Sequence, residues 1–237
     1  MRFPSALERG RLLQRYKRFL ADVALDSGET VTASCPNTGS MLGLTAPGAR
    51  VWLSRSDSPT RKYPHTWEMV ETDLGAGPSL VGINTGHPNH LVTEAIATRR
   101  VKALAGYATL RREVKYGKAS RIDILLEDER RGRCYVEVKN VHMMRQAGFA
   151  EFPDCMTERG AKHLRELAAM AGEGHRAVML FLIQRTDAKH FRLAADLDPG
   201  YAEAFRVATN AGVEALAFCC RMSEEEIALD RAVPIVR

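Results

Sequence analysis

Apolar and polar positions alternate in short stretches through the first third of the chain. They give way to longer, helix-spaced patterns afterwards. Residues 11–25 alternate loosely and end at the turn Asp26-Ser27-Gly28. A strand is expected over 30–35, and Thr38 is placed to cap a short helical turn over 40–44. After the turn Ala46-Pro47-Gly48, a strand over 49–54 sets Val51 and Leu53 on one face, because side chains two apart on a strand share a face. A loop rich in Ser, Asp, Pro and Arg follows, then a strand over 66–72 before Gly75-Ala76-Gly77-Pro78. Several short strands and no long helix predict an N-terminal OB-like β-barrel over residues 1–82.

From residue 83 the period changes. A helix is predicted over 87–98, with Pro88 early and Leu91, Val92, Ala95 and Ile96 on one stripe. Strands follow over 109–116, 121–126 and 133–140. Residues 157–171 form a strong helix candidate, with Thr157 as N-cap, an apolar stripe through Ala161, Leu164, Leu167, Ala168 and Ala171, and Gly172 and Gly174 at its end. A buried strand over 177–184, a helix opened by Asp198-Pro199 and ended by Gly212, and a strand over 213–220 complete the series. This order predicts an α/β domain with a mixed central sheet over 83–237.

Apolar residues make up 45% of the chain, enough for a sizeable core, and the longest clean apolar run, 177–183, is too short to span a bilayer. The first residues lack the apolar region of a secretory signal, so no membrane association is expected. Five cysteines without a C-x-x-C pair suggest reduced thiols, a cytoplasmic setting and no structural zinc. Net charge is +5, and the first 20 residues hold Arg2, Arg9, Arg11, Arg15, Lys17 and Arg18 against Glu8 alone. Such a cluster suits a polyanion partner, although a solvated basic face has the same composition.

The most informative chemistry lies in residues 121–140. Asp123 sits within one apolar strand, and Glu137 and Lys139, two apart, share a face of the next. Charge among Ile, Leu, Val and Tyr is costly unless it is paired or bound to metal. Two carboxylates and the Val138 carbonyl suit Mg²⁺ or Mn²⁺, which prefers oxygen ligands and activates water, while Lys139 would orient that water and offset phosphate charge. Tyr135 falls on the Glu137 face. A salt bridge across two strands is the competing reading of the same three residues.

The order helix–strand–strand–strand–helix–strand, with D…E-x-K across the second and third strands, resembles the PD-(D/E)XK nuclease superfamily, with Ile122 standing where that name expects proline. The resemblance implies metal binding and cleavage at Asp123, Glu137 and Lys139, with Glu94 as the matching first-helix carboxylate. The motifs Cys35-Pro36-Asn37-Thr38-Gly39-Ser40-Met41, Arg112-Glu113-Val114-Lys115-Tyr116-Gly117, Arg121-Ile122-Asp123, Val136-Glu137-Val138-Lys139-Asn140, Phe152-Pro153-Asp154, Thr157-Glu158-Arg159-Gly160 and His163-Leu164 narrow the likeness. Across essentially the whole chain they resemble the sugar fermentation stimulation protein family. That resemblance implies an N-terminal OB-like domain, a nuclease-like C-terminal domain, DNA binding and a link to maltose metabolism.

Around this core the alternatives stay open. Glu94 is a metal ligand or a solvated helix residue, and Glu113 supports the metal ligands or forms a rim salt bridge. Thr157 caps its helix, whose N-terminus with Arg159 would favour phosphate. His163 belongs to the core or faces the site, and Gln184 ends a buried strand near it. His87 and His90 lack a third ligand. In the barrel, Arg15, Tyr16, Lys17, Arg18 and Phe19 interleave cations with aromatics, as single-strand-binding grooves do. Strand alternation would place Arg15, Lys17 and Phe19 on one face. Asn37, Arg61, Lys62 and Trp67 are further nucleic-acid-binding candidates, with core packing the competing reading for Trp52 and Trp67. Expected partners are single- or double-stranded DNA, with RNA a further candidate. The competing function is a non-catalytic DNA-binding regulator of sugar-utilisation genes, although no helix-turn-helix is evident.

Overall fold

A computed structural model describes residues 1–117 and 120–236. Strands β1 (Glu8–Tyr16), β2 (Leu20–Leu25), β3 (Thr30–Ser34), β4 (Arg50–Arg55) and β5 (His65–Thr72) lie in the order β3-β2-β1-β4-β5. A parallel pairing of Ala33 with His65 and Ser34 with Thr66 closes β5 onto β3 and completes the predicted barrel. Alternate residues fill it, among them Leu12, Ala21, Val23, Leu53 and Trp67. On β4 the alternation is masked: Val51 and Leu53 face the barrel core, while Trp52 faces outward and is buried under the second domain.

Gly10 shows how tightly β1 meets β2. A Cβ there would lie 2.5 Å from the Ala24 carbonyl oxygen and 2.7 Å from Val23 Cγ1. The obstacle is mainly backbone, so Gly10→Ala is expected to cost about 1–3 kcal/mol, measured as a lower urea midpoint. An unchanged midpoint would show that the strands separate freely.

Two local expectations are corrected. The run over 11–25 is two strands, because Lys17 (φ 51°) and Arg18 (φ 67°) take left-handed conformations and reverse the chain. Residues 40–44 form a turn closed by Leu44 N–H to Met41 C=O (3.0 Å) instead of a helical turn.

Strand β6 (Ser79–Gly82) pairs with β5 and leads into the second domain. There, α1 (Pro88–Ala97) precedes β7 (Thr109–Tyr116), β8 (Ser120–Asp128), β9 (Gly132–Val141), β10 (Met143–Gln146) and β11 (Phe149–Phe152). Next come α2 (Glu158–Gly172), β12 (Arg176–Ile183), β13 (His190–Leu193), α3 (Pro199–Asn210), β14 (Glu214–Met222), β15 (Ile227–Ala232) and β16 (Ile235–Val236). The central sheet runs β15-β14-β12-β9-β8-β7, with β9, β12 and β14 parallel and the remaining pairs antiparallel.

Helix α1 covers one face of this sheet through Leu91, Val92, Ala95 and Ile96. Helices α2 and α3 cover the other, through Leu164, Leu167, Tyr201 and Ala208. Burial on both faces explains why residues 177–183 read as one apolar run. Asp198 joins the helix starts, accepting from Tyr201 N–H (2.9 Å) on α3 and from Thr157 N–H (2.7 Å) ahead of α2. Strands β10, β11, β13 and β16 form a small side sheet. Among the described residues no helix is long and apolar enough to cross a membrane.

Candidate metal and nucleic-acid site

Strands β8 and β9 run antiparallel with Ile124 opposite Val136, so Asp123 stands one rung on, across from Glu137. The ladder opens there. Asp123 Oδ2 accepts from the Val138 backbone N–H (2.8 Å), and Oδ1 accepts from Asn89 Nδ2 (2.8 Å) in the first turn of α1. The same Asn89 amide reaches Glu113 Oε1 (3.3 Å), and Glu113 has a left-handed backbone (φ 53°).

Glu137 is only 2% exposed. Its Oε1 accepts from Lys139 Nζ (2.8 Å) and closely contacts His163 Nδ1 of α2. Protonation of His163 at Nδ1 satisfies that contact and leaves Nε2 to accept from Arg159 Nε (3.5 Å). Glu137 Oε2 is buried without a partner. Three residues expected to act together are therefore assembled, and His163 joins them.

The two carboxyl groups respond differently to this environment. Burial and then the charge of Glu137 push the Asp123 carboxyl up, against the hydrogen bonds from Val138 and Asn89. Burial also pushes Glu137 up, but the His163 hydrogen bond and the Lys139 charge outweigh it and leave Glu137 below the usual carboxylate range. A carboxyl with a raised folded pKa favours folding fully below its unfolded pKa, and that contribution is lost as pH rises through the folded value. The stability of metal-free Asp123→Asn relative to wild type is therefore expected to shift in the variant's favour as pH rises from acid toward neutral. Thermal melts in EDTA across that range check this. A relative stability that moves against the variant as pH rises would refute the sign.

Not every sequence candidate comes to this place. Asn89, and not Glu94, is the α1 residue that faces Asp123. Glu94 lies five residues on, about 140° around the helix, where it pairs with the Met1 ammonium (2.9 Å) beside Leu229. Gln184 is fully buried at the junction of the domains, donating to Asn140 Oδ1 (2.8 Å) and the Asn84 carbonyl (3.2 Å). Thr157 accepts from Gly160 N–H (3.0 Å) as a helix cap, while Arg159 is exposed and lines the site. His87 hydrogen-bonds the buried Glu68 (2.7 Å). Asn89 gave no spacing signal, being one polar residue in a helix start.

In the barrel, Trp67 is 0% exposed and its indole donates to the Met69 carbonyl (2.9 Å), so it is a core residue. Arg15 is committed too: Nη2 donates to the carbonyls of Arg18 (2.8 Å), Asn37 (2.9 Å) and Gly39 (2.9 Å). Asn37 is buried and shapes this loop by accepting from Gly39 N–H (2.9 Å). Tyr16 donates to Asp22 (3.2 Å), and Arg61 to Thr66 (2.6 Å). Lys62 lies over the Tyr63 ring (5.4 Å). Lys17, Arg18 and Phe19 are exposed at the hairpin tip, and the turn there replaces the face alternation expected of a strand.

The barrel loop after β3 is tied to the second domain. Asp154 Oδ2 accepts from Ser40 Oγ (3.1 Å) and Met41 N–H (3.1 Å) and lies 3.4 Å from His142 Nε2. Burial raises Asp154, but His142, Met41 and Ser40 hold it well below the usual carboxylate range.

Two adjoining clefts open on the site. One of about 240 Å³ is lined by Asn89, Asp123, Glu137, Lys139 and Asn140, among others. The other, about 490 Å³, is lined by Glu113, Ser120, Arg121, Asp123, Arg159, Lys162 and His163. A third cleft of about 510 Å³ lies around Arg145 and Arg192. Its charges are already matched, since Arg145 pairs with Glu151 (2.8 Å) and Asp196 (2.6 Å).

Comparison with known proteins extends this picture. Residues 13–83 match a family model described as the SfsA N-terminal OB domain, and residues 86–226 match the sugar fermentation stimulation protein RE domain. A sugar fermentation stimulation protein homolog of Azorhizobium caulinodans is 59% identical over 236 residues, covering 100% of each chain. One of Rhodospirillum centenum is 59% identical over 233 residues, covering 98% of each. The structure of Pyrococcus furiosus SfsA in complex with Ca²⁺ superposes with a TM-score of 0.87 at 26% identity, covering 100% of this chain and 98% of that one.

Proposed function

Because the chain belongs to the sugar fermentation stimulation protein family, we propose that it is a DNA-binding protein whose second domain hydrolyses phosphodiester bonds with Mg²⁺ or Mn²⁺. The observation that carries this reading is the meeting of Asp123 and Glu137 in one cleft beside Lys139, with Glu137 Oε2 buried and unpartnered. A buried carboxylate oxygen without a donor is costly, and a cation removes that cost.

Among the described residues no three His, Cys, Asp or Glu side chains gather as a metal cage. Mg²⁺ does not need one, since it commonly takes one or two carboxylates and keeps waters for its other positions. Asp123 and Glu137 would hold it, and Val138, lying between Glu137 and Lys139 on β9, is the candidate for a backbone oxygen. Bound there, the ion would lower the pKa of water and offset phosphate charge. The Ca²⁺ complex of the Pyrococcus furiosus relative supports a divalent site.

The chain's own residues divide the remaining work. His163 and Lys139 keep Glu137 ionised. Asn89 and the Val138 amide fix both Asp123 oxygens. Lys139, an ammonium on a flexible stem, orients the attacking water and neutralises a non-bridging phosphate oxygen. Lys17, Arg18 and Phe19 at the barrel's hairpin tip are exposed to meet nucleic acid.

Purified protein incubated with supercoiled plasmid and with single-stranded DNA should cut when Mg²⁺ or Mn²⁺ is supplied and stop when EDTA is added. Absence of cleavage of single- or double-stranded DNA or RNA with either ion would end the proposal.

A further inference from the structure

We propose that the larger cleft, between the start of β8 and the first turns of α2, is a phosphate-binding subsite for the nucleic-acid phosphate next to the one being cut. The inference rests on the nuclease reading above and adds the register of the strand.

Its cations are the first observation. Arg121 projects from β8 two residues before Asp123, and Arg159 and Lys162 come from α2. All three are exposed. Arg159 touches only His163 Nε2 (3.5 Å), and Lys162 is loosely placed 3.7 Å from Glu166. No carboxylate lies within ion-pair distance of Arg121 or Arg159 among the described residues. Two unpaired arginines and a loosely held lysine around a cleft make an anion site waiting for charge, unlike the matched arginines near Asp196.

The second observation is continuity. This cleft shares Asp123, Arg159 and His163 with the smaller one that holds Glu137 and Lys139. A ligand filling both presents one phosphate to the carboxylates and lysine and a neighbouring phosphate to the three cations. A nucleic-acid backbone has that form. The acidic lining residues, Glu113 and Asp123, gather at the Asn89 amide. Volume is adequate too: about 490 Å³ falls in the range of ordinary ligand clefts.

The neighbouring phosphate is either an internal phosphodiester or a terminal phosphomonoester, and the test separates them. Fluorescein-labelled single-stranded DNA is titrated in EDTA, so that binding is read without cleavage. Arg121→Ala and Lys162→Ala are each expected to weaken binding roughly tenfold and to lower the slope of log affinity against log salt by about 0.7, the value for one lost contact to a single strand. Arg121→Lys should recover most of the slope, because it restores the charge.

In wild type, one methylphosphonate linkage at a particular position should weaken binding if the phosphate is internal. Loss of a 5′-phosphate should do so if it is terminal. Either sensitivity must vanish in Arg121→Ala. A wild-type slope in both alanine variants, or equal sensitivity to the modified linkage in wild type and Arg121→Ala, would overturn the subsite. These readouts hold whether or not the protein cleaves, so failure here is distinct from failure of the nuclease reading.

Discussion

Lys139→Ala is expected to reduce metal-dependent DNA cleavage by at least about 10²-fold, with DNA affinity near wild type. The ammonium lies 2.8 Å from Glu137 Oε1 and is mostly buried at 14% side-chain exposure, so it serves the site and not the solvent. Its removal takes away the group proposed to orient water, and it also takes a positive charge from Glu137, letting burial push that carboxyl upward. Both effects fall on catalysis. Lys139→Arg should not restore the rate, since a planar fork cannot sit as a compact ammonium does. Plasmid nicking with Mn²⁺, beside anisotropy with labelled DNA, measures the two quantities separately. Cleavage at the wild-type rate in Lys139→Ala would remove the lysine from the mechanism. Loss of DNA affinity and cleavage together would make it a binding residue.

Trp67→Ala should produce the largest loss of stability, about 3–5 kcal/mol, as expected for truncating a fully buried aromatic side chain. The indole fills the barrel beside Leu12, Leu53 and Val81, and its N–H is satisfied by the Met69 carbonyl (2.9 Å). Trp67→Phe keeps most of the apolar contact and should cost less. Urea unfolding monitored by circular dichroism reads the difference between the two. A Trp67→Ala protein of unchanged stability but reduced affinity for single-stranded DNA would return Trp67 to the role its sequence context suggested.

Trp67 shows where sequence reasoning stops. Beside Arg61 and Lys62 an aromatic residue admits a stacking role, while its type favours core packing, and the barrel sets it inward opposite Leu53. The β1–β2 reversal was hidden for a related reason: Lys17 and Arg18 make the turn without the Gly or Asn that usually marks left-handed backbone. The hairpin of β10 and β11 is made of four-residue strands, too short for a period to emerge.

Where elements are long and covered on both faces, the pattern was readable. Strands β8, β9 and β12 and helices α2 and α3 all stand close to where their hydrophobic spacing put them. Asp123, Glu137 and Lys139 were readable because charge interrupts those apolar strands. Glu94 and Gln184 were not, because helix rotation and the domain junction, rather than spacing, determine where each points. Asn89 and His163 contact the carboxylates through folding alone.

The backbone bond from Gly82 N–H to the Gln184 carbonyl (2.8 Å) bears on exchange of the two halves. It runs the end of the barrel into the end of β12, and a Cβ on Gly82 would fall 2.7 Å from Gln184 Oε1. Thr72 also accepts from Arg185 Nη2 (3.1 Å) across the same seam. A recombination event that transplanted either half would leave these groups facing a stranger. A change on either side of this seam therefore meets a group on the other.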